Sequence, residues 1–177
     1  MFKFLSDESS NTFQWGSMGD VAEGRRNLGE EMPVVVYRLF QYTMRDILNK
    51  KLGTEETVEV FRRAGDLAGE EFANNMLDVS LPFDQFVSQL QQRLKEIKVG
   101  ILRLEEVSED ASEMVLSVAE DLDCSGLPIT GEVVCNYDEG FIAGILKAYT
   151  GKHYMVREVD CWSKGDRVCR FTAKAGG

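Results

Sequence analysis

Gly100-Ile101-Leu102-Arg103-Leu104-Glu105 is where the hydrophobic rhythm of the chain changes. Upstream, apolar residues recur every three or four positions; from Gly100 onward Leu102 and Leu104 alternate with Arg103 and Glu105. The first period is that of a helix with one buried face, the second that of a strand with one buried face. Met114, Leu116 and Val118 resume the alternation beyond the polar stretch Ser108-Glu109-Asp110, which predicts a β-hairpin. That single change of period makes the chain α+β rather than all-helical.

Working back from Gly100, three helices are expected. Pro33 suits a first helical turn, and Val36, Leu39, Phe40, Met44 and Ile47 form a stripe running to about Lys51, ended by Gly53. Thr54 then reads as an N-cap, with Glu55 and Glu56 favoured by the helix dipole. Val60, Phe61, Ala64, Leu67, Ala68, Phe72 and Met76 carry that second helix to about Leu77. The third begins near Pro82, with Phe86, Val87, Leu90, Leu94 and Ile97 on one face. All three stripes read as core. Residues 1–32 are polar, with only Thr12-Phe13-Gln14-Trp15 hinting at a strand. They read as an N-terminal extension, either loosely packed or serving as a lid or dimerisation arm, ahead of one domain over residues 33–177.

Working forward, a turn-rich loop spans Asp123-Cys124-Ser125-Gly126-Leu127-Pro128. A helix follows from about Tyr137 to Thr150 and stops at Gly151. Its Gly140-x-x-x-Gly144 pair offers a flat face for close packing. A second hairpin closes the chain, about Tyr154 to Trp162 and Arg167 to Lys174, turning at Ser163-Lys164-Gly165-Asp166. The architecture expected is helices packed on an antiparallel sheet.

Composition narrows the function. With 177 residues, 44% of them hydrophobic, and a net charge of -10, the chain has enough apolar material for a core and the wrong sign for a phosphate-binding surface. No nucleic-acid partner is expected. No apolar run is long enough to span a membrane, and Met1–Ser9 shows no secretion signal. A cytoplasmic, reducing setting follows as the expectation, in which patterned cysteines bind metal or do redox work more often than they form structural disulfides.

The four cysteines supply the candidate chemistry. A turn centred on Gly165 would place Cys161 and Cys169 directly opposite one another, within reach of one ion. Cys135 immediately precedes Asn136-Tyr137-Asp138-Glu139, where Asn136 reads as an N-cap and Glu139 as its capping-box partner. The helix dipole there favours a thiolate. Glu158 lies three residues before Cys161, so strict alternation puts the two on opposite faces. They converge only if the ladder breaks near Val159 or Asp160. Three thiolates, a carboxylate and Zn²⁺ leave a local excess of negative charge, for which Arg157, Lys164, Arg167 and Arg170 are the nearby cations. Sulfur-rich ligation favours zinc over magnesium or calcium, with iron or copper(I) also compatible. A Cys161–Cys169 disulfide, or four buried thiols acting as small hydrophobes, are the competing readings.

These motifs, taken with Gly131-Glu132-Val133-Val134-Cys135, Gly140-Phe141-Ile142-Ala143-Gly144 and Arg157-Glu158-Val159-Asp160-Cys161-Trp162 followed by Gly165-Asp166 and Cys169, resemble the 4-vinyl-reductase domain family. The resemblance covers the last third of the chain. It implies a fold similar to the small subunits of the TRAPP vesicle-tethering complex. It also implies kinship with the sensory domains of phenol-responsive activators, in which zinc is held by Cys, Glu, Cys and Cys. Carried over, that set falls on Cys135, Glu158, Cys161 and Cys169. The His and Trp that contact phenol in those sensors have no matching motif, so phenol is not carried over. The resemblance implies a stand-alone, homodimeric domain that binds a hydrophobic or aromatic small molecule in a pocket between helices and sheet, with a structural zinc site. A role in tetrapyrrole metabolism and a TRAPP-like scaffold are its alternatives.

Three residues remain. Cys124 reads first as a loop residue beside a turn, with a redox-active neighbour or a replacement ligand as alternatives. His153, the single histidine, reads as an exposed strand-edge residue. Trp162 packs beside Cys161 or screens it from water. No catalytic residues are assigned, and no nucleotide fingerprint is present.

Overall fold

A computed structural model describes residues 13–176. They fall into two compact units that divide between Glu31 and Met32. The described part of the first unit holds a 3₁₀ turn, Trp15–Met18, and a four-residue helix, α1, Val21–Gly24, whose first turn Asp20 caps by accepting from Glu23 N–H at 2.8 Å. The strand hinted at around Trp15 does not form: Trp15 opens the 3₁₀ turn. Thr12 lies outside the described residues.

The second unit contains α2 (Val34–Leu52), α3 (Thr54–Met76), α4 (Phe83–Glu96), β1 (Ile101–Val107), β2 (Glu113–Ala119), α5 (Asn136–Thr150), β3 (Tyr154–Asp160) and β4 (Cys169–Ala175). The strands form one antiparallel sheet in the order β1-β2-β4-β3. The α+β class and both hairpins are therefore as the periodicity predicts. One sheet face is buried: Leu102, Met114, Leu116, Val118, Val156, Phe171 and Ala173 point into the core with Phe86, Leu90 and Leu94 of α4 and Ile145 and Leu146 of α5. Full burial of a side chain such as Phe171 contributes about 2–3 kcal/mol.

α5 contacts both β3 and α3, and the α3–α5 seam is unusually tight. A Cβ placed on Gly140 would come within 1.9 Å of Arg62 O, and on Gly144 within 2.0 Å of Asp66 O. The reciprocal pair, Gly65 and Gly69 of α3, would meet Tyr137 O and Phe141 O at 2.0 and 2.1 Å. Two glycine pairs thus face each other across the seam, one of them expected for close packing.

Four helical expectations are corrected. The α2 stripe is not core: Leu39 and Phe40 are 61% and 65% exposed, and Val36, Met44 and Ile47 are exposed too. α2 instead turns its polar face inward. On α3 the buried residues are Thr57, Phe61, Gly65, Gly69, Phe72 and Ala73, whereas Ala64 is exposed; glycine lets the helix approach along a line that apolar counting passes over. Ile97, the C-cap of α4, is exposed. Thr54 is the first helical residue and Gly53 the N-cap, without a side-chain cap.

Candidate metal centre

The second hairpin departs from a plain ladder where it must. Glu158 pairs with Phe171 and Asp160 with Arg170, with a register shift between Glu158 and Asp160, so one extra residue breaks the alternation. The chain then leaves the strand at Cys161 and enters a 3₁₀ turn, Trp162–Lys164, before Gly165 at φ 106°. The N–H groups of Lys164 and Asp166 both donate to Cys161 O, and Cys161 N–H donates to Asp166 Oδ2 at 3.0 Å. That turn fixes Cys161, while Cys169 begins β4 opposite Val118.

Cys135 comes from the other side of the core. It is itself the N-cap of α5, one position nearer the dipole than expected, and Asn136 is the first helical residue. The expected capping box is absent because both of its partners are engaged elsewhere. Asn136 Oδ1 accepts from Arg45 at 2.9 Å. Glu139 accepts from Arg62 at 2.6 Å and from Glu158 N–H at 2.9 Å. This buried ion pair ties α3, α5 and β3 together, and no sequence pattern announced it.

All four sulfurs converge. Cys135 Sγ lies 3.9 Å from Cys161 Sγ and 3.8 Å from Cys169 Sγ, and Cys124 Sγ lies 3.1 Å from Cys169 Sγ. Each cysteine is buried and free of disulfide, and the four sulfurs fall within 4.8 Å of one another. A tetrahedral ion with bonds of about 2.3 Å sets its ligands about 3.8 Å apart. Two of the three edges among these pairs already have that length. Cys124 is no bystander in a loop: the structure makes it part of the cluster.

Glu158 is 7% exposed. Its Oε2 accepts from Cys135 N–H at 3.0 Å, while Oε1 is buried without a hydrogen-bond partner. Burial, together with the neighbouring Cys161, pushes its carboxyl up to about 8. Among the sulfurs the proton distribution is uneven. Hydrogen bonds from Cys124, Cys135 and Cys169 hold the Cys161 thiol far below its ordinary value, and the same contacts push Cys135 up. Four sulfurs and an unpartnered carboxylate oxygen in so small a buried space are electrostatically costly without a cation. The donor set fits a thiophilic metal ion.

The cations that serve these loops come from α2 rather than from the hairpin. Arg38 donates to Leu122 O and Ser125 O; Arg45 donates to Val134 O as well as to Asn136. Tyr37 and Gln41 donate to the Asp123 carboxylate at 2.7 and 2.6 Å, and Tyr42 to Asp123 O. Of the four hairpin cations expected to compensate the site, Arg170 pairs with Glu105 and Asp160, Lys164 donates to Val159 O, Arg157 donates to Val156 O, and Arg167 is exposed. Asp121 accepts from the N–H groups of Asp123 and Cys124, holding the Cys124 loop from below. Burial lifts its carboxyl to about 6.

Residues 114–175 match the model of the vinyl-4-reductase domain family. The chain carries a domain of this family. Three solved structures share the fold. A vinyl-4-reductase family protein of Methanocaldococcus jannaschii superimposes with a TM-score of 0.62 at 17% identity, over 95% of this chain and 100% of that one. The phenol-responsive sensory domain of the transcription activator PoxR, solved with phenol, gives 0.60 at 19% identity, over 83% of this chain and 76% of that one. A trafficking protein particle complex subunit 3 of Naegleria fowleri, covalently bound to palmitic acid, gives 0.63 at 11% identity, over 81% of this chain and 95% of that one. The TRAPP-like architecture is thus shown.

Within the vinyl-4-reductase-type fold two apolar cavities are present. The one between α4, α5 and the first hairpin, where a pocket was expected, is only about 40 Å³ in volume and ends in Asp121 and Asp138. An engineered cavity that takes benzene has about 150 Å³, so this void is too small for an aromatic ring. A larger space of about 250 Å³ lies between α2 and α3, walled by Tyr37, Phe40, Met44, Phe61 and Tyr137. Gln41, 4% exposed, also lines it. No described helix is long and apolar enough to cross a membrane. His153 is exposed, and Trp162 Nε1 donates to Leu127 O, packing the turn against the Cys124 loop.

Proposed function

We propose that this protein is a stand-alone, cytoplasmic small-molecule-binding sensory domain, with a structural zinc ion on Cys135, Glu158, Cys161 and Cys169 and a ligand site between α2 and α3. The observation that carries the ligand reading is Gln41. Its Nε2 is fixed on Asp123 Oδ2 at 2.6 Å, which orients the amide and leaves Oε1 buried without a donor in a space walled by aromatic rings. A buried acceptor left unpaired costs about 1–3 kcal/mol. A ligand with an apolar ring and one hydroxyl would satisfy it. Asp123 is next to Cys124, so such a ligand would press on the loop that enters the metal centre.

Calorimetric titration with toluene, benzyl alcohol and benzoate tests this. Benzyl alcohol is expected to bind best, and Gln41→Leu to abolish its advantage over toluene. Equal binding of all three to the unaltered protein would overturn the assignment.

The exposed stripe Val36, Leu39, Phe40 and Ile47 supports a second element of the reading, a homodimer formed through α2. Native mass spectrometry of the protein as purified reports zinc, retained ligand and subunit count together. One zinc per chain in a dimer is the expected result; a metal-free monomer would contradict both. The tetrapyrrole-related and scaffold alternatives predict a retained porphyrin-type mass or no small molecule at all.

A further inference from the structure

The zinc reading assigns four ligands, yet the structure gathers five donors around one point. We infer that Cys124 is an inner ligand of the metal centre, exchanging with Glu158 for the fourth position beside Cys135, Cys161 and Cys169. The inference rests on the zinc reading and adds to it which residues hold the ion.

Three independent observations carry it. The first is distance: Cys124 Sγ stands 3.1 Å from Cys169 Sγ, inside the roughly 3.8 Å edge of a thiolate tetrahedron, and belongs to the mutually close set of sulfurs. An outward shift of several tenths of an ångström brings it to ligand position. The second is Glu158, whose Oε1 is buried and unpartnered while Oε2 holds Cys135 N–H. That carboxylate is placed both to ligate and, when it does not, to support Cys135 through its backbone. The third is the care with which the Cys124 loop is held. Arg38, Tyr42 and Asp121 anchor its backbone at Leu122, Asp123, Cys124 and Ser125. A merely connecting loop has no need of a fully buried thiol fixed from two sides.

Because a tetrahedral ion takes four of these five groups, Cys124 and Glu158 are mutually redundant. Either alone completes the site; without both it keeps only three protein donors and admits water. Exchange between them gives the centre two forms, one with four sulfurs and one with three sulfurs and an oxygen.

The test is a double-mutant cycle on the full chain, with zinc affinity read by chelator competition and ligand type read from the cobalt(II)-substituted spectra. Cys124→Ser and Glu158→Gln are each expected to weaken zinc binding by about tenfold, and the double variant by about a thousandfold, more than the product of the two. Cobalt(II) in Cys124→Ser is expected to show weaker sulfur charge-transfer absorption than in the unaltered protein, and Glu158→Gln stronger. X-ray absorption of the unaltered zinc protein, which needs no variant to fold, is expected to give a sulfur number between three and four. A sulfur number of three, with Cys124→Ser indistinguishable from the unaltered protein, would overturn the role of Cys124 and leave the zinc reading intact. A full sulfur number of four, with Glu158→Gln without effect, would overturn the exchange. Failure of the unaltered protein to bind metal would remove the zinc reading itself.

Discussion

α5 and α2 look alike in sequence, each an amphipathic helix of ordinary length, and the fold uses them in opposite ways. α5 lies between α3 and the sheet, with its glycines against backbone and its apolar residues in the core. α2 has its apolar stripe exposed and its polar face turned to the loops that carry Cys124 and Cys135. The difference teaches that a stripe marks a face without naming its partner. α5 is a structural axle. α2 is a clamp whose outer surface is left for something else.

The largest expected effect lies in the seam. Gly140→Leu must displace the Arg62 carbonyl, which a Cβ would approach to 1.9 Å, and is expected to destabilise by more than about 3 kcal/mol, read as loss of cooperative thermal unfolding. If it melted normally, the axle description would be broken.

Acidity gives the next largest contrast. In metal-free protein, burial raises the carboxyls of Asp121 to about 6 and Glu158 to about 8, above their ordinary values of 3.8 and 4.5. The unfolded chain therefore loses these protons first, and stability is greatest below about pH 4 as far as these two groups are concerned. It falls as pH rises through their folded values toward about pH 8. Metal-loaded protein should trend the other way over the same range, since binding a cation to thiols releases protons. Melting curves at pH 5.5 and 8, with and without chelator, check the crossing. Parallel trends would show that the centre holds no ion.

A smaller effect is expected at the clamp. Tyr37→Phe removes one hydrogen bond to a buried carboxylate and should cost about 1–3 kcal/mol by denaturant unfolding. The smallest effect on stability is expected on the outer face of α2. Leu39→Asp, at a position 61% exposed, should alter monomer stability by no more than about 0.5 kcal/mol while abolishing the dimer in sedimentation. If it unfolded the chain instead, that face would be core after all and the comparison would collapse.

How much of this was legible beforehand depends on range. The change of period at Gly100, the strands around Leu116 and Phe171, and the break near Val159 followed from local alternation and one geometric conflict between Glu158 and Cys161. Burial of α2 did not follow, because periodicity is blind to which surface a helix meets. The buried face of α3 escaped because Gly65 and Gly69 pack by smallness rather than by hydrophobicity. Cys124 read as a loop residue because its neighbours in sequence are turn residues; its neighbours in space, Cys169 and the α2 donors, are tens of residues away. The Arg62–Glu139 pair was hidden for the same reason, and Glu139 was given instead to a local capping box that its long-range partners override.

The most direct test of the central claim is a pair of melting curves on protein shown by elemental analysis to carry one zinc per chain, recorded before and after chelation. The account predicts a clear fall in the midpoint on metal removal, since the ion joins the Cys135 end of α5 to the turn at Cys161 and the start of β4. An unchanged midpoint with the zinc demonstrably gone would contradict it.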